Sequence, residues 1–396
     1  MKITAVDTIR SGRYPNLCWV RVWSADGYGL GETFYGSGAV EAFIHETAAE
    51  RLVGTEVDTL DPRTDGLVGY VGRTGSGAEV RGTSALDIAL WDLAAKARGI
   101  PLHEAVSPGS SPTIPVYNTC AGPEYVKSLS HQDSANWGLG ASHGSYEDLE
   151  ATYSDAGSLA GSLLDMGISA MKIWPFDRAA ERNAGRSISN EELVESLNPI
   201  RKIREAVGDA MEIKVELHGL WSAPGIDRVL AALEEFSPAW VEDPIRVSDV
   251  WEGARLTAMT SYPIAVGETL AGVDAYRHLC ERRAADIAIC DVGWCGGVGT
   301  ALEVAEMVES HDMALAFHDC TGPVGLAVAA NLSCALDSVS IQEFVRAFYY
   351  GWYPDVVHGL PLFDAGSLTV SGVGHGADLV AGFIERDDVT VRRFEL

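Results

Sequence analysis

The chain has 396 residues, of which 47% are hydrophobic and 21% are charged, and its formal net charge is −27. This length fits two domains, one of which could be a full (β/α)8 barrel, and the composition excludes a disordered or membrane protein. The negative charge argues against nucleic acid and membrane lipid as partners, because no Lys/Arg-rich run offsets it. A small anionic substrate would need a metal ion or a lysine that reverses the local field.

Cysteine usage and the lack of long apolar runs indicate the compartment. The seven cysteines are an odd number and include no CxxC pair, which favours reducing surroundings over a disulfide framework or a zinc ribbon. The first residues contain no long apolar signal core, and no apolar run approaches the length of a membrane span. We therefore expect a cytoplasmic protein.

The N-terminal part of the chain predicts antiparallel sheet followed by a long helix. Apolar and polar residues alternate on both sides of Asp26-Gly27, which is the pattern of a β-hairpin. From Glu79 to Arg98 the apolar residues instead recur at helical spacing, and Gly99 ends the pattern. A segment rich in proline and serine follows at 107–115, so we place a domain boundary near residue 113.

Beyond this boundary, short apolar runs alternate with helix-like stretches, which is the sequence form of βα units. Eight such runs predict the eight strands of a parallel barrel. The strand candidates are Ile114 to Thr119, Ala170 to Trp174, Glu212 to Leu217, Trp240 to Glu242, Ile264 to Gly267, Ile287 to Asp291, Ala314 to Phe317 and Val339 to Gln342.

Ionisable residues close most of these strand candidates at a regular spacing. A single acid in such a position is uninformative, because Asp and Glu commonly cap the helix that follows a strand. Seven ionisable residues at equivalent strand ends instead predict one site at the C-terminal mouth of a barrel. The last five intervals between successive residues span only 23 to 27 positions. The longer interval from Cys120 to Ala170 holds an extra polar and aromatic loop, either a lid or a surface excursion. The seven residues are Lys172, Glu216, Glu242, Glu268, Asp291, His318 and Glu343.

Three of these residues, Glu216, Glu242 and Glu268, lie on consecutive strand candidates. Carboxylate oxygens suit a hard cation that prefers octahedral geometry, so Mg2+ fits best, and Mn2+ is compatible with the same ligands. A salt bridge or a helix cap is the alternative role for each glutamate alone. Together they predict a metal site.

Two residues near this metal site are candidate bases. Lys172 would lie close to the cation and to aromatic side chains, which lower the pKa of an amine. His318 could be oriented by Asp291, since an aspartate on the far ring nitrogen fixes an imidazole and raises its basicity. A surface lysine and a buried structural histidine are the alternatives.

The motifs around these residues resemble the mandelate racemase branch of the enolase superfamily. Their order and spacing carry the resemblance, and it extends over nearly the whole chain, since DGYGLGE and SALDIALWDLAAKARGIP are similar to that family's capping domain. The barrel motifs are VEDP at Val241 to Pro244, GET at Gly267 to Thr269, DVGWCGG at Asp291 to Gly297, HDCTGP at His318 to Pro323, and QE at Gln342 and Glu343.

The resemblance implies a (β/α)7β TIM-like barrel with an α+β capping domain. Residues 1–113 would form the N-terminal part of the cap, 114–345 the barrel, and 346–396 a segment that returns to the cap. It implies that the three glutamates hold Mg2+ and that Asp291 and His318 form a catalytic dyad. Lys172 would lie across the substrate, and Glu343 would hydrogen-bond the developing enediolate. Bidentate binding of the substrate carboxylate to the metal, together with a protonated Glu343, would offset the second negative charge.

A further histidine favours one reaction within this family. His218 follows Glu216 by two residues, so we expect both side chains on the same side of the strand. Dehydratases similar to galactonate dehydratase place a histidine here as the acid that protonates the departing 3-hydroxyl. We therefore expect an acid-sugar dehydratase, a lyase, that forms a 2-keto-3-deoxy acid; substrate binding or helix capping is the alternative role for His218.

Two departures from the family pattern bear on this expectation. Glu216 stands where most members carry the shorter Asp, which would shift the metal or its ligand by one methylene. Lys172-Ile173-Trp174 replaces the Lys-x-Lys of racemases, which weakens the racemase, epimerase and cycloisomerase alternatives. A noncatalytic ligand-binding barrel is the alternative from another class of protein.

Four aromatic residues are candidates for substrate contact. Rings stack on sugar faces, although packing in the core is the commoner role of tryptophan. We expect the partner to be a small carboxylate, a sugar acid, and we expect the chain to form a homo-oligomer. The aromatic candidates are Trp174, Trp221, Trp294 and Tyr35.

Overall fold

The computed structural model describes residues 1–62, 66–67, 75–127, 133–140 and 144–396. The described strands are β1 (Ala5–Ser11), β2 (Leu17–Ser24), β3 (Gly27–Phe34), β4 (Thr113–Thr119), β5 (Ala170–Ile173), β6 (Glu212–Glu216), β7 (Trp240–Glu242), β8 (Ile264–Val266), β9 (Ile287–Cys290), β10 (Ala314–Phe317), β11 (Gln342–Phe344), β12 (Val357–His358), β13 (Leu362–Asp364), β14 (Ser367–Thr369), β15 (Asp378–Leu379) and β16 (Val389–Glu395).

A π-helical turn, Ile44–Ala48, joins the first two of the described α-helices. These are α1 (Ser37–Phe43), α2 (Ala49–Leu52), α3 (Ala78–Arg98), α4 (Leu102–Val106), α5 (Asp148–Ser154), α6 (Ala156–Asp165), α7 (Asp177–Glu181), α8 (Asn190–Val207), α9 (Ala223–Leu233), α10 (Val250–Met259), α11 (Val273–Arg282), α12 (Val298–Ser310), α13 (Pro323–Ala335) and α14 (Arg346–Tyr349).

The cap is an antiparallel sheet in the order β16-β1-β2-β3, with α3 packed on β3. The predicted hairpin is confirmed, since β2 pairs with β3 and Ser24 lies opposite Gly27. Two glycines of β3 explain the close approach of α3. A Cβ atom on Gly31 would lie 1.9 Å from the carbonyl oxygen of Ala85, and one on Gly29 would lie 1.9 Å from that of Ala89. Only glycine lets the helix backbone approach the strand this closely.

The barrel contains eight parallel strands, in the order β4 to β10, with β11 paired to β4. Leu315 N donates to Ser338 O at 3.0 Å, and Gln342 Nε2 donates to Phe317 O at 3.3 Å, which link β10 to the β11 region. Helices α5 to α13 occupy the seven connections between successive strands. The (β/α)7β barrel with an α+β cap is therefore confirmed, and the C-terminal ends of its strands point to one mouth.

The eighth strand begins later than the sequence indicated. The apolar residue Val339 suggested a strand from 339 to 342, but its N–H donates to Leu336 O in the turn after α13. The polar residues Gln342 and Glu343 enter the barrel instead, both fully buried. Partners inside the barrel compensate for burying them, which apolar patterning does not reveal.

The last fifty residues contribute to both parts of the molecule. Strand β14 pairs with the start of β4, whereas β16 pairs with β1 along seven residues. The division into 1–113, 114–345 and 346–396 stays a prediction, as do the cytoplasmic location and the homo-oligomer. Along the described ranges no helix has both the length and the apolar character needed to cross a membrane.

Candidate active site

A pocket lies at the C-terminal ends of the barrel strands. Its empty volume, which includes solvent space at the open mouth, is about 450 Å3. Barrel residues form its floor, β3 of the cap contributes one wall, and the loop after β4 contributes another. The lining residues are Phe34, Tyr35, Thr119, Tyr125, Val126, Lys172, Trp174, Glu216, His218, Glu268, Trp294, His318, Cys320, Thr321 and Glu343.

The three predicted metal ligands converge in this region. Glu216, Glu242 and Glu268 each offer a carboxylate oxygen, and the three oxygens lie within 4.8 Å of one another. All three side chains are buried, the most accessible at 6%. A buried group of three carboxylates is costly unless a cation balances it, and oxygen donors suit a hard divalent ion.

Glu216 shows how the longer side chain fits this cluster. Its Oε1 accepts hydrogen bonds from the backbone N–H of Leu217 at 2.9 Å and of His218 at 2.6 Å, so the carboxylate folds back onto the end of its own strand. Its Oε2 is buried, has no hydrogen-bond partner in the described part of the chain, and lies 3.5 Å from Lys172 Nζ. The extra methylene relative to Asp is taken up by this fold-back, and the residues present fit a cation site.

Lys172 lies among the carboxylates. Its Nζ is 2.8 Å from Glu242 Oε1 and 3.0 Å from Glu343 Oε1. Burial alone would lower the pKa of Lys172, but Glu242, Glu343 and Glu216 raise it well above its usual value. This direction is opposite to the expected lowering of the pKa, because the carboxylates outweigh the effect of burial.

The expected pair of Asp291 and His318 forms next to Glu268. His318 Nδ1 lies 2.7 Å from Asp291 Oδ2, and His318 Nε2 lies 3.2 Å from Glu268 Oε2. Burial would lower the pKa of His318, but Glu268, Glu343 and Asp291 raise it well above its usual value. The ring is thereby fixed with Nδ1 on the aspartate and Nε2 on the side of the glutamates.

Glu343 lies between these two basic groups. It accepts hydrogen bonds from the Thr119 hydroxyl and, at 2.9 Å, from Asp319 N. Burial would raise the pKa of Glu343, but Lys172 and His318 lower it below its usual value. The positive charges of Lys172 and His318 favour the ionised carboxylate in this arrangement, and the protonated Glu343 that the resemblance implies stays a prediction.

His218 also lines the pocket, but not because it belongs to a strand. Strand β6 ends at Glu216, and His218 has a positive φ of 49°, so a turn rather than the strand repeat directs its side chain. Its Nδ1 lies 2.6 Å from Asp177 Oδ2, and its ring contacts that of Trp174 with centroids 5.8 Å apart. Burial would lower the pKa of His218, but Asp177 and Glu216 raise it to about 10.

Three of the four aromatic candidates line the pocket. Trp294 lies beside both Tyr35 and His318, with ring centroids 6.0 Å and 5.5 Å away, and Trp174 lies beside His218. Trp221 does not line it. Its ring lies close to Gly225, where an added Cβ would be 2.9 Å from a ring carbon, so Trp221 packs the loop after β6 instead.

The loop between β4 and α5 supplies pocket residues that sequence alone did not assign. Tyr125 and Val126 line the pocket, and Asn16 of the cap donates from Nδ2 to Val126 O at 2.8 Å. The loop therefore forms part of the pocket wall. Positions 128–132 and 141–143 of the loop, for which sequence left open a lid or a surface excursion, lie outside the described residues.

Other pocket residues differ in whether a sequence signal could have found them. Thr119 ends β4, so the strand-end rule applied to the first strand points to it. Cys320 and Thr321 follow His318 within its motif. Asp177 carries no such signal, because an acid in the first turn of a helix is common for reasons unrelated to catalysis.

The fold and the pocket define a class of protein, capped (β/α)7β barrels whose ionisable residues converge at the strand ends. Comparisons with known proteins agree. The family model described as the enolase C-terminal domain-like matches residues 155–381. The N-terminal domain of mandelate racemase and muconate lactonizing enzyme matches residues 4–106.

Individual relatives point to the same group. A crystal structure of an enolase of the mandelate racemase subgroup from Agrobacterium tumefaciens is 38% identical, with a TM-score of 0.86 over 100% of this chain and 99% of that one. D-xylonate dehydratase of Haloferax volcanii is 26% identical over 96% of this chain and 88% of its own length. D-galactonate dehydratase of Ralstonia nicotianae is 26% identical over 88% of this chain and 83% of its own.

The chain belongs to the enolase superfamily, in its mandelate racemase subgroup. Relatives named as dehydratases are hydro-lyases, which is consistent with an enzyme of the lyase class.

Proposed function

We propose that this protein is an Mg2+-dependent acid-sugar dehydratase that removes the proton α to a carboxylate and eliminates the 3-hydroxyl as water. One observation carries this proposal: His218 lines the same pocket as the two candidate bases, Lys172 and His318. Elimination needs a base for the α-proton and a separate acid for the hydroxyl, and this pocket offers groups for both. The dehydratase names of two relatives support the same reaction.

Glu216, Glu242 and Glu268 would hold the metal. When bound there, Mg2+ supplies positive charge that offsets the negative charge developing on the substrate carboxylate. Glu216 Oε2, which accepts no hydrogen bond from the described residues, and the short separations among the three carboxylates support this assignment.

His318, in its neutral form, takes the α-proton through Nε2. A cation held by Glu268 would favour the neutral imidazole, because it would offset the charge of the carboxylate that lies 3.2 Å from Nε2. The hydrogen bond to Asp291 fixes Nδ1, so Nε2 is the ring nitrogen directed at the glutamates. Lys172, with its ammonium group among Glu242, Glu343 and Glu216, serves as a fixed positive charge close to the substrate carboxylate.

His218 gives a proton to the 3-hydroxyl as the C3–O bond breaks. The electron pair of the former Cα–H bond forms the C2=C3 double bond, and the hydroxyl leaves as water. The resulting enol loses the proton of its C2 hydroxyl, takes a proton at C3 and becomes the 2-keto-3-deoxy acid. Trp174 and Trp294 flank the two histidines and exclude water from the reacting carbons.

A screen of sugar acids tests this function. D-xylonate, D-galactonate and D-gluconate, with related mono- and di-acids, are incubated with the protein in Mg2+ or in EDTA. Keto acid is measured as semicarbazone absorbance. We expect product with Mg2+, none with EDTA, and recovery when Mg2+ is restored. Absence of keto acid from every sugar acid in the panel would contradict dehydration.

Racemisation or epimerisation is the second candidate, because Lys172 and His318 both line the pocket and could exchange a proton with the same carbon. The two functions differ in their need for His218. In D2O, an isomerase would place deuterium at the α-carbon without forming keto acid, and His218→Asn would leave its rate unchanged. A dehydratase would lose keto acid formation in that variant.

A further inference from the structure

Two Asp–His pairs stand at the pocket, because both His218 and His318 line it. His318 Nδ1 lies 2.7 Å from Asp291 Oδ2, and His218 Nδ1 lies 2.6 Å from Asp177 Oδ2. In each pair Nδ1 is occupied by the aspartate, so Nε2 is the ring nitrogen left for a ligand. Only the first pair was expected from sequence.

Asp177 lies in the first turn of a helix, where acids commonly stabilise the helix end, but its side chain contacts His218 instead. It is the first residue of α7, a short helix directly after β5, and no side chain caps that helix. Its side chain is only 4% exposed and turns inward toward His218 rather than toward solvent. Its Oδ1 is buried and has no hydrogen-bond partner among the residues that the structure describes. A buried carboxylate is costly, so the bond to His218 is its principal compensation.

The remaining contacts of His218 fix its backbone but not the choice of ring nitrogen. Its N–H donates to Glu216 Oε1 at 2.6 Å, and its left-handed φ of 49° sets the direction of the side chain. The Trp174 ring lies edge-on to the imidazole, at an interplanar angle of 74°. These contacts permit a ring flip about χ2, which would exchange Nδ1 and Cδ2 and displace Nε2. The hydrogen bond to Asp177 is the contact that distinguishes the two orientations.

We propose that Asp177 is a positioning residue that holds His218 with Nε2 directed at the departing hydroxyl. This rests on the proposed dehydration, because only elimination needs an acid at His218. The pocket then contains two oriented imidazoles, one set by Asp291 for proton removal and one set by Asp177 for departure of water. Asp177 itself does not touch the substrate.

The first test compares Asp177→Ala, Asp177→Asn and His218→Asn on the sugar acid that wild type dehydrates fastest. Alanine removes the acceptor, whereas asparagine retains one oxygen that can accept from Nδ1. We expect Asp177→Ala to lower kcat by about 10²- to 10⁴-fold with KM changed less than about threefold, as for loss of a general acid. Asp177→Asn should fall between Asp177→Ala and wild type.

A second measurement separates positioning from general damage to the pocket. In D2O with Mg2+, Asp177→Ala should still place deuterium at the α-carbon, as His218→Asn should, because removal of the α-proton uses His318. Glu181→Gln is the matched control at the other end of α7, where Glu181 accepts from Ser134 N at 2.7 Å and does not contact His218. It should retain wild-type kcat.

A third measurement does not depend on turnover. Long-range 1H–15N NMR of 15N-histidine protein assigns the Nδ1 and Nε2 signals of His218 by their loss in His218→Asn. We expect a proton on Nδ1 in wild type and its signal displaced or lost in Asp177→Ala. This spectrum tests the orientation even if no sugar acid is dehydrated, so the inference and the proposed function fail separately.

Three outcomes would overturn the inference. The first is a kcat of Asp177→Ala within threefold of wild type. The second is joint loss of keto acid formation and deuterium exchange in a folded Asp177→Ala protein, since that would make Asp177 a structural support of the whole pocket. The third is an unchanged Nδ1 signal in Asp177→Ala.

Discussion

Glu32 of the cap accepts a hydrogen bond from the backbone N–H of Gly325, at 2.8 Å, in the first turn of barrel helix α13. Its other oxygen accepts from Trp19 Nε1 at 2.7 Å. An added Cβ on Gly322 would lie 2.3 Å from Glu32 Oε1, so the strand and the loop after His318 are in close contact. One buried carboxylate thus joins the cap sheet to the segment that carries a candidate base.

This contact predicts a pH dependence of stability. Burial raises the pKa of Glu32 to about 8, an effect that the hydrogen bonds from Gly325 and Trp19 only partly offset. The folded state therefore binds the proton more tightly than the unfolded state. The contribution of Glu32 is greatest below the ordinary glutamate pKa, decreases as pH rises toward 8, and is level above that value. The decrease is on the order of 5 kcal/mol, from about 1.4 kcal/mol per unit of pKa.

Thermal unfolding of wild type and Glu32→Gln between pH 5 and pH 9 measures this effect. Because other groups titrate in the same range, the quantity to compare is the difference in Tm between the two proteins. We expect the Tm of Glu32→Gln to increase relative to that of wild type as pH rises from 5 to 8. Parallel Tm curves for the two proteins would show that Glu32 does not titrate in this range.

Glu216→Gln tests the metal site with little disturbance to its surroundings. The amide oxygen can still accept from Leu217 N and His218 N, while the amide nitrogen replaces Oε2, the oxygen that lies 3.5 Å from Lys172 Nζ. A nitrogen that bears two protons cannot ligate Mg2+. Calorimetric titration should show at least about tenfold weaker Mg2+ binding, within the range for altered metal surroundings. The exposed acid Glu235, changed to Gln, is the control and should bind Mg2+ as wild type does.

The two candidate bases are separated by His318→Gln. If His318 takes the α-proton, this variant should lose deuterium exchange and keto acid formation together, each by about 10²- to 10⁴-fold. His218→Asn should lose only the second activity. Substantial α-proton exchange in His318→Gln would instead identify Lys172 as the base. NMR of the substrate in D2O and the semicarbazone assay measure the two activities in the same samples.

Much of this site could be predicted because barrel topology converts a regular spacing into proximity. The residues from Glu216 to Glu343 recur once per βα unit, and the structure brings them to one mouth. Asp177 and Trp221 could not be placed in this way, since Asp177 begins a short helix after β5, Trp221 lies in the loop after β6, and neither closes a strand. His218 lies at the pocket as expected, but for a different reason. A left-handed turn, and not the strand repeat, sets the direction of its side chain.

Replacing glycine by alanine is expected to change stability in opposite directions at two positions, one in the contact between β3 and α3 and one inside α6. Gly31→Ala places a methyl group against the backbone carbonyl of Ala85, which cannot move aside without shifting α3, so we expect a loss of about 1 to 3 kcal/mol or more. Gly161, inside α6, has no atom within 4 Å of an added Cβ. Gly161→Ala should raise stability by about 0.5 to 1 kcal/mol. Chemical denaturation of both variants checks the pair, and equal effects would contradict this account of the β3 glycines.

The pairing of β16 with β1 also has a consequence for synthesis of the chain on the ribosome. Residues Ala5–Ser11 precede the barrel in the chain, but their partner Val389–Glu395 follows it. One edge of the cap sheet therefore stays open while the barrel is translated, and exposed strand edges invite pairing with other chains. Asp7, which binds Arg21 and later Arg393, places a charge on this strand in the meantime. We expect newly made protein to depend on chaperones until Val389–Glu395 has been released.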